Sequence, residues 1–592
     1  MDKIYLRAEA VNLANLIKDT EDLSTIRGSG LMILDLTGPV GRAIDRSGLA
    51  TSKTQVTSGA SQTVFRVELK ADSLPQQLEA AVSAELRRDA RLRFATVVVV
   101  VQAATDYATA REALLARTRW QQLRQSRISP AGLIPSPPTI PANADQDTSW
   151  RPWCAVDLVR PVAKTAENVR NEEKRGVGES VFVRRNFGFA EKQGFYEREV
   201  GWTPQADIAE KMRAAWDFHQ IAQFDTGPES AKAYQDLPSV LNGKIALLYV
   251  DGNRFGKIQA DKCTTEEAQA QWDQMCQGQR RKALQAILKQ AWDQEHPDWT
   301  DPRWWNYSNP KEWRLRLETL LWGGDELLWV VPAWQGLQVA QTFFEAIERR
   351  QPAPAAELKR DHWGAPVSSQ SRGIRNLDRK PSKGKETAVG QQHAEAKVDF
   401  GILTYSAGLV FCHAEAPIQR VWDLAHELAE EAKQAVHREA NALSYTVLES
   451  FDQLGESLQA ARLRQLPFSP SDEATDVAKR LTDTGQRLDR TVIRSEELAG
   501  LLKAIQWMKA NFPRGSVYRI LRVLRQDKWK TPFTTWFSRA MRDLPASERR
   551  HGAQYLDFFD LRTAKPGDEL GRRLNWMHLA ELWDYAVAGG DR

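Results

Sequence analysis

Two acidic positions in this 592-residue chain stand where strands should end. Asp251 closes the apolar run Ile245-Ala246-Leu247-Leu248-Tyr249-Val250, and Asp325-Glu326 follows Gly323-Gly324 on a tight turn between strands over 315–322 and 327–331. Carboxylates at the ends of neighbouring strands converge on one sheet edge. Hard oxygen ligands on rigid strands suit Mg²⁺ or Mn²⁺, which take their remaining ligands from water and phosphate. Two such ions about 4 Å apart activate a hydroxyl and stabilise the leaving oxygen of an in-line attack on phosphorus. Asp251, Asp325 and Glu326 are therefore the expected metal ligands and catalytic residues. Gly323 and Gly324 leave room for a nucleotide, and Lys433, near the end of a helical stretch, can meet the β and γ phosphates as a point charge. Singly, each feature has a plainer reading, the Asp as a turn residue and the lysine as a solvated helix partner. Their order along the chain favours chemistry at a nucleotide phosphate.

The elements that must position them recur twice. Residues 3–8 read as a strand, 94–101 (FATVVVVV) as a strand buried on both faces, and 107–124 as a helix, which makes one α/β unit of about 130 residues. Residues 128–147 carry five prolines and read as a linker. No clean period runs through 150–240, which is expected to be an irregular connecting subdomain. A strand over 245–250, helix 265–294, the Gly-Gly hairpin, helix 338–350, strand 402–411 and helix 418–438 then follow in β-α-β-β-α-β order, the ferredoxin-like arrangement. Residues 351–400, with nine Lys/Arg against six Asp/Glu, interrupt that unit as a long insertion expected to be mobile. Beyond 453 the chain reads as helical. The expected organisation is α+β: a first ferredoxin-like domain (1–130), a connecting subdomain (131–240), a second ferredoxin-like domain bearing the acidic site (241–450) and a helical C-terminal domain (451–592).

At these residues the chain resembles a known family. Asp251-x-Asn253-x-Phe255, Gly323-Gly324-Asp325-Glu326-Leu327 and Ala432-Lys433 followed by Asn441 match in order the motifs of the GGDEF nucleotidyl cyclase superfamily. Tyr5-Leu6, Ile26-Arg27-Gly28-Ser29, the VDGNRFGKI run and SAGLVFCHAEAPIQ leading into LAHELAEEAK resemble the large palm-domain subunit of type III CRISPR effector complexes over most of residues 1–450. The resemblance implies two palm domains, the second converting ATP into cyclic oligoadenylates when target RNA is bound. It also implies nucleotide contacts at Gly252, Asn253 and Phe255 beside Gly323, Gly324 and Lys433. The implied partners are crRNA and target RNA, repeat-type RNA-binding CRISPR subunits and a small subunit. This chain departs from the family in three ways. Glu326 stands where a second Asp is usual; no His-Asp dipeptide occurs, so nuclease activity of the His-Asp type is not expected; and only Cys154 falls where the family pairs cysteines, which makes zinc doubtful. The first unit offers no Gly-Gly-Asp turn and reads as a degenerate partner domain.

Composition narrows the alternatives. Lys plus Arg number 81 against 77 Asp plus Glu, a net charge of +4, with 27% charged and 42% hydrophobic residues, which excludes histone-like, acidic-tail, disordered and disulfide-miniprotein classes. Cys154, Cys263, Cys276 and Cys412 form no C-x-x-C pair, and reduced thiols are expected. Asp2 and Glu9 interrupt the N-terminal segment and no apolar run approaches ~20 residues, so a cytoplasmic protein without a membrane partner is expected. The 21 tryptophans are expected to fill interfaces, Arg27 to pair with a carboxylate, and Cys412 and His413 to be structural. Arg519, Arg522 and Arg525, three apart in a basic stretch, form a cationic helix face suited to an RNA backbone. A catalytically silent RNA- and subunit-binding scaffold, or a GTP-using cyclase, are the competing readings.

Overall fold

Two sheets with the same strand order carry the molecule. The computed structural model describes residues 2–125, 153–225, 234–348, 398–451, 492–526, 530–556 and 569–587, apart from 60, 170, 171, 294 and 310, and in addition 359, 360, 366, 367, 458 and 559. The linker at 128–147 and all but a few residues of the 351–400 insertion lie outside them. The first unit runs β1 (Lys3–Val11), α1 (Leu23–Leu34), α2 (Thr37–Ser47), β2 (Ala50–Ser58), β3 (Gln62–Leu69), α3 (Pro75–Arg88), β4 (Thr96–Ala104) and α4 (Tyr107–Leu123). Its sheet is antiparallel in the order β2-β3-β1-β4. The valine run forms β4, and alternate residues serve opposite layers. Val99 and Val101 pack with α2 and α3, and Val98 and Val100 with α4, as a strand buried on both faces requires.

The stretch without a clean period is more ordered than its sequence reads. It holds a hairpin (Lys164–Val169 and Glu172–Val177) and a 22-residue helix, α5 (Glu179–Val200). The period is hidden because buried positions of α5 are charged: Arg184, Arg185 and Lys192 are 0%, 3% and 3% exposed. Arg184 donates to Asp19 Oδ1 at 2.8 Å, and Lys192 bonds Glu318 Oε2 at 2.9 Å. Backbones of α1 and α5 touch where they cross. A Cβ on Gly28 would lie 1.7 Å from the Arg184 carbonyl oxygen, and one on Gly188 2.3 Å from that of Ser24.

The second unit follows as β5 (Lys244–Gly252), α6 (Phe255–Lys262), α7 (Glu266–Ala291), β6 (Glu318–Trp322), β7 (Glu326–Pro332), α8 (Gly336–Glu348), β8 (Tyr405–His413), α9 (Ile418–Ala435), β9 (Ala442–Val447) and the short β10 (Ile493–Arg494). Its order, β6-β7-β5-β8-β9-β10, repeats the first sheet's and adds two strands, β9 running parallel to β8. Helices α10 (Ser495–Asn511) and α11 (Arg514–Leu524) begin the C-terminal helical region. Most described tryptophans fill these seams: Trp304, Trp305, Trp329, Trp334 and Trp576 are among the largest fully buried side chains, whereas Trp120 and Trp153 are exposed. Cys154 packs among Val156, Ala166, Val177 and Val181. No described helix is long and apolar enough to cross a membrane.

Arg27 pairs with a carboxylate, as its position predicts. Its Nε and Nη2 each meet an oxygen of Glu318 at 2.6 Å, and both side chains are 1% exposed. Burial pulls the Lys192 ammonium down to about 8 against the opposing charge of Glu318. This triad ties α1 and α5 to β6, the strand that leads into the Gly-Gly turn. Glu318→Ala strands two buried cations, and the expected cost is about 3–5 kcal/mol, read as a fall of several degrees in melting temperature. An unchanged melt would show that solvent reaches the cations.

Candidate active site at the end of strand β5

Strand β5 is buried along its whole length, so its side chains alternate between two packed layers. Ala246, Leu248 and Val250 face the layer of α7 and α8, while Ile245, Leu247 and Tyr249 face α9. Asp251 continues the second set. In register, its Cα partner on β7 is Glu326 and its partner on β8 is Ser406. Antiparallel partners share a face, so Asp251 and Glu326 stand side by side beneath α9. The turn is closed by the Gly323 amide donating to the Glu326 carbonyl at 2.7 Å, and Gly252 N–H donates to the Asp325 carbonyl at 3.1 Å. A Cβ on Gly323 would lie 2.8 Å from the Glu326 carbonyl oxygen, whereas at Gly324 it would meet nothing within 4 Å. Arg280 donates to the Gly323 carbonyl and lies over the Trp322 ring.

Helix α9 brings in the cation. Its Val421, Leu424, Ala425, Leu428 and Ala429 are buried, and one turn further Lys433 Nζ donates to Asp251 Oδ2 at 2.6 Å and to Glu430 Oε1 at 2.7 Å. The helix ends earlier than its sequence reads, because His437 and Arg438 turn to left-handed backbone (φ 51° and 60°). Across from them Arg254 is also left-handed (φ 61°) and donates to the His437 carbonyl at 2.8 Å. Non-glycine residues held there store strain, which gathers next to functional sites.

The carboxylates are charged uneasily. Burial, then the charges of Asp251 and Glu326, pushes Asp325 up to about 6. Burial raises Asp251 against the opposing Lys433, and burial together with Asp251 raises Glu326. Burial lowers Lys433, but its bonds to Asp251 and Glu430 outweigh that and the net shift is upward. Among the described residues no ion pair reaches Asp325 or Glu326. Carboxylates raised by burial, with a lysine bonded to Asp251 alone of the three, are the kind of donor a divalent cation neutralises.

Two expected nucleotide contacts are committed elsewhere. Asn253 is 2% exposed; its amide donates to Thr404 Oγ1 at 3.1 Å and to the Ala440 carbonyl at 3.0 Å, and its oxygen accepts from Ser406 at 3.0 Å. Phe255 is buried, its ring 5.3 Å from Trp272 and 5.1 Å from Tyr405, and Gly252 makes room for it, since a Cβ there would lie 2.5 Å from that ring. Both brace the strand end. Arg519, Arg522 and Arg525 lie on α11 and at its C-cap, all exposed. His413 is exposed, 6.5 Å from His219 ring to ring, and Cys412 is buried.

No family model matches the chain, and no curated protein matches it. Solved structures to which it is similar are those of Csm1, alone or with Csm4. They include Csm1 in T.onnurineus (TM-score 0.47, 11% identity, covering 98% of this chain and 70% of that one). The Csm1–Csm4 cassette in complex with one ATP is similar with a TM-score of 0.46 and 11% identity over 99% of this chain and 70% of that one. The Csm1–Csm4 subcomplex of the type III-A CRISPR-Csm interference complex is similar with a TM-score of 0.43 and 10% identity, over 97% of this chain and 70% of that one.

Proposed function

We propose that this chain is the large subunit of a type III CRISPR-like antiviral complex and a metal-dependent nucleotidyl cyclase that joins ATP into cyclic oligoadenylates. The observation that supports this best is the pairing of Asp251 with Glu326 under α9, with Asp325 on the turn and Lys433 bonded to Asp251. When bound, Mg²⁺ or Mn²⁺ ions supply positive charge that activates the 3′ hydroxyl of one ATP and neutralises the departing pyrophosphate of another. Asp251 and Asp325 hold that charge, and Glu326 adds a ligand or orients the hydroxyl. Gly323 and Gly324 admit base or ribose. Lys433 exchanges its carboxylates for the triphosphate. The 3′ oxygen bonds to the α phosphorus as the bond to the bridging oxygen breaks, and a last intramolecular attack closes the ring.

In this reading both sheets are ferredoxin-like palm domains, within 1–130 and 241–450. The first is degenerate, since its β2–β3 hairpin carries no acid between Ser58 and Gln62. The region 131–240 connects them, and 451–592 contacts neighbouring subunits and RNA. Arg519, Arg522 and Arg525 are exposed and, among the described residues, pair with no carboxylate, which suits them to the phosphates of crRNA or target RNA.

The test incubates the purified chain, alone and with co-purifying partners and RNA, with Mg²⁺ or Mn²⁺ and each NTP, and reads products by mass spectrometry. A cyclic or linear oligoadenylate that disappears in Asp325→Ala is expected. A guanylate product would assign the GTP-using cyclase. No turnover with any NTP, alongside retained RNA and subunit binding, would leave the scaffold.

A further inference from the structure

Helix α9 presents more than its lysine to the strand end. His426, Glu430 and Lys433 are spaced i, i+4, i+7, which places them on one helical face. One ligand atom each from Asp251, His426 and Glu430 lie within 4.8 Å of one another. Among the described residues this is the group of His, Cys, Asp or Glu side chains close enough to share an ion, and Asp325 and Glu326 are not members. A second feature is independent of the cluster. Tyr249 is 1% exposed, its ring lies 5.3 Å from that of His426, and its hydroxyl is directed at the Glu326 carboxylate. The negative charges of Glu326 and Asp251 both act on that hydroxyl.

We infer that Asp251, His426 and Glu430 form a divalent-metal site of two carboxylates and one imidazole, with the buried ring of Tyr249 beside the imidazole and with a preference for Mn²⁺ over Mg²⁺. The inference deepens the metal-dependent reading and rests on it through Asp251 alone. An imidazole ligand is what separates the two ions, because Mg²⁺ takes oxygen ligands almost exclusively whereas Mn²⁺ lies toward the metals that accept nitrogen. His426 is exposed and Glu430 half-buried, so water or a phosphate oxygen completes the coordination. Lys433 already bonds both carboxylates. Its ammonium therefore competes with the ion for the same oxygens.

The test titrates the full chain with Mn²⁺, following affinity by calorimetry and the ligand atoms by pulsed electron paramagnetic resonance. The expected results are a ¹⁴N coupling on the bound Mn²⁺ that is lost in His426→Ala, an affinity about tenfold or more weaker in that variant, and a narrowed gap between Mn²⁺ and Mg²⁺. Because His426 is exposed, the variant is expected to fold, which circular dichroism checks. Lys433→Met is expected to bind Mn²⁺ several-fold more tightly. Bound Mn²⁺ without nitrogen coupling, at an affinity unchanged by His426→Ala, would overturn the site. If that binding is lost in Asp325→Ala, the cyclase reading stands while this inference falls. Nitrogen coupling in a chain that turns over no NTP gives the opposite result.

Discussion

Asp325→Asn is expected to lower product formation about a thousandfold and, at pH 7.5, to melt a few degrees later than the parent. Both effects have one cause. Burial, then the neighbouring Asp251 and Glu326, lifts the Asp325 carboxyl to about 6, above its unfolded value of about 4. A carboxyl raised on folding contributes stability that is fully present below about pH 4 and is lost as the pH rises through about 6. At pH 7.5 the turn therefore carries a repelled, half-buried charge, which asparagine removes at nearly constant shape. The gain is about 1–2 kcal/mol after solvent screening, or roughly 2–5 °C. Scanning calorimetry at pH 4.5 and 7.5 checks it: the two proteins are expected to converge at the acid end. A gap of equal size at both pH values would assign the effect to packing rather than charge. Loss of product with gain of stability is the pattern of a site that keeps repelling charges for its chemistry.

Much of this site is readable from residue order, for a physical reason. The run ending at Asp251 is apolar at every position because both faces of β5 are covered, and two glycines before Asp325-Glu326 mark the hairpin that places Glu326 opposite Asp251. Arg27 is legible as a carboxylate's partner, although that partner, Glu318, lies 291 residues away. Other features are hidden because burial and polarity part company. Helix α5 has no visible period since its inward positions carry Arg184, Arg185 and Lys192, each satisfied by a distant carboxylate. Asn253 and Phe255 look like ligand contacts in a motif, and only the packing shows one as a hydrogen-bonded brace and the other as core. His426 and Glu430 have a readable spacing, but in a Glu-rich helix that spacing also describes a solvated face. What distinguishes them is where α9 docks.

That docking depends on a position without a side chain, and Gly408→Ala is expected to be the most disruptive single methyl group near the site. Gly408 lies on β8 in the face that carries α9, and an added Cβ would sit 1.9 Å from the Ala425 carbonyl oxygen and 2.9 Å from the Ala429 amide nitrogen. Both are helix backbone, so no rotamer relieves the clash, and α9 must move outward by about 1 Å or more to restore van der Waals separation. Its φ is not in the left-handed range, so the cost is contact rather than strain. An overpacked core of this kind loses about 1–3 kcal/mol or more, expected as a melting temperature several degrees lower. The larger consequence is geometric. Ala425 and Ala429 bracket His426 and precede Glu430 and Lys433, so the same displacement pulls the lysine from Asp251, and misplacement by about 1 Å costs about a hundredfold in rate. Gly515→Ala, in open space on α11, is the matched control and is expected to leave the melt unchanged or slightly raised. A Gly408→Ala protein that melts lower yet keeps full turnover would show that α9 closes on the strand end without needing this contact, and that Lys433 finds the site from more than one helix position.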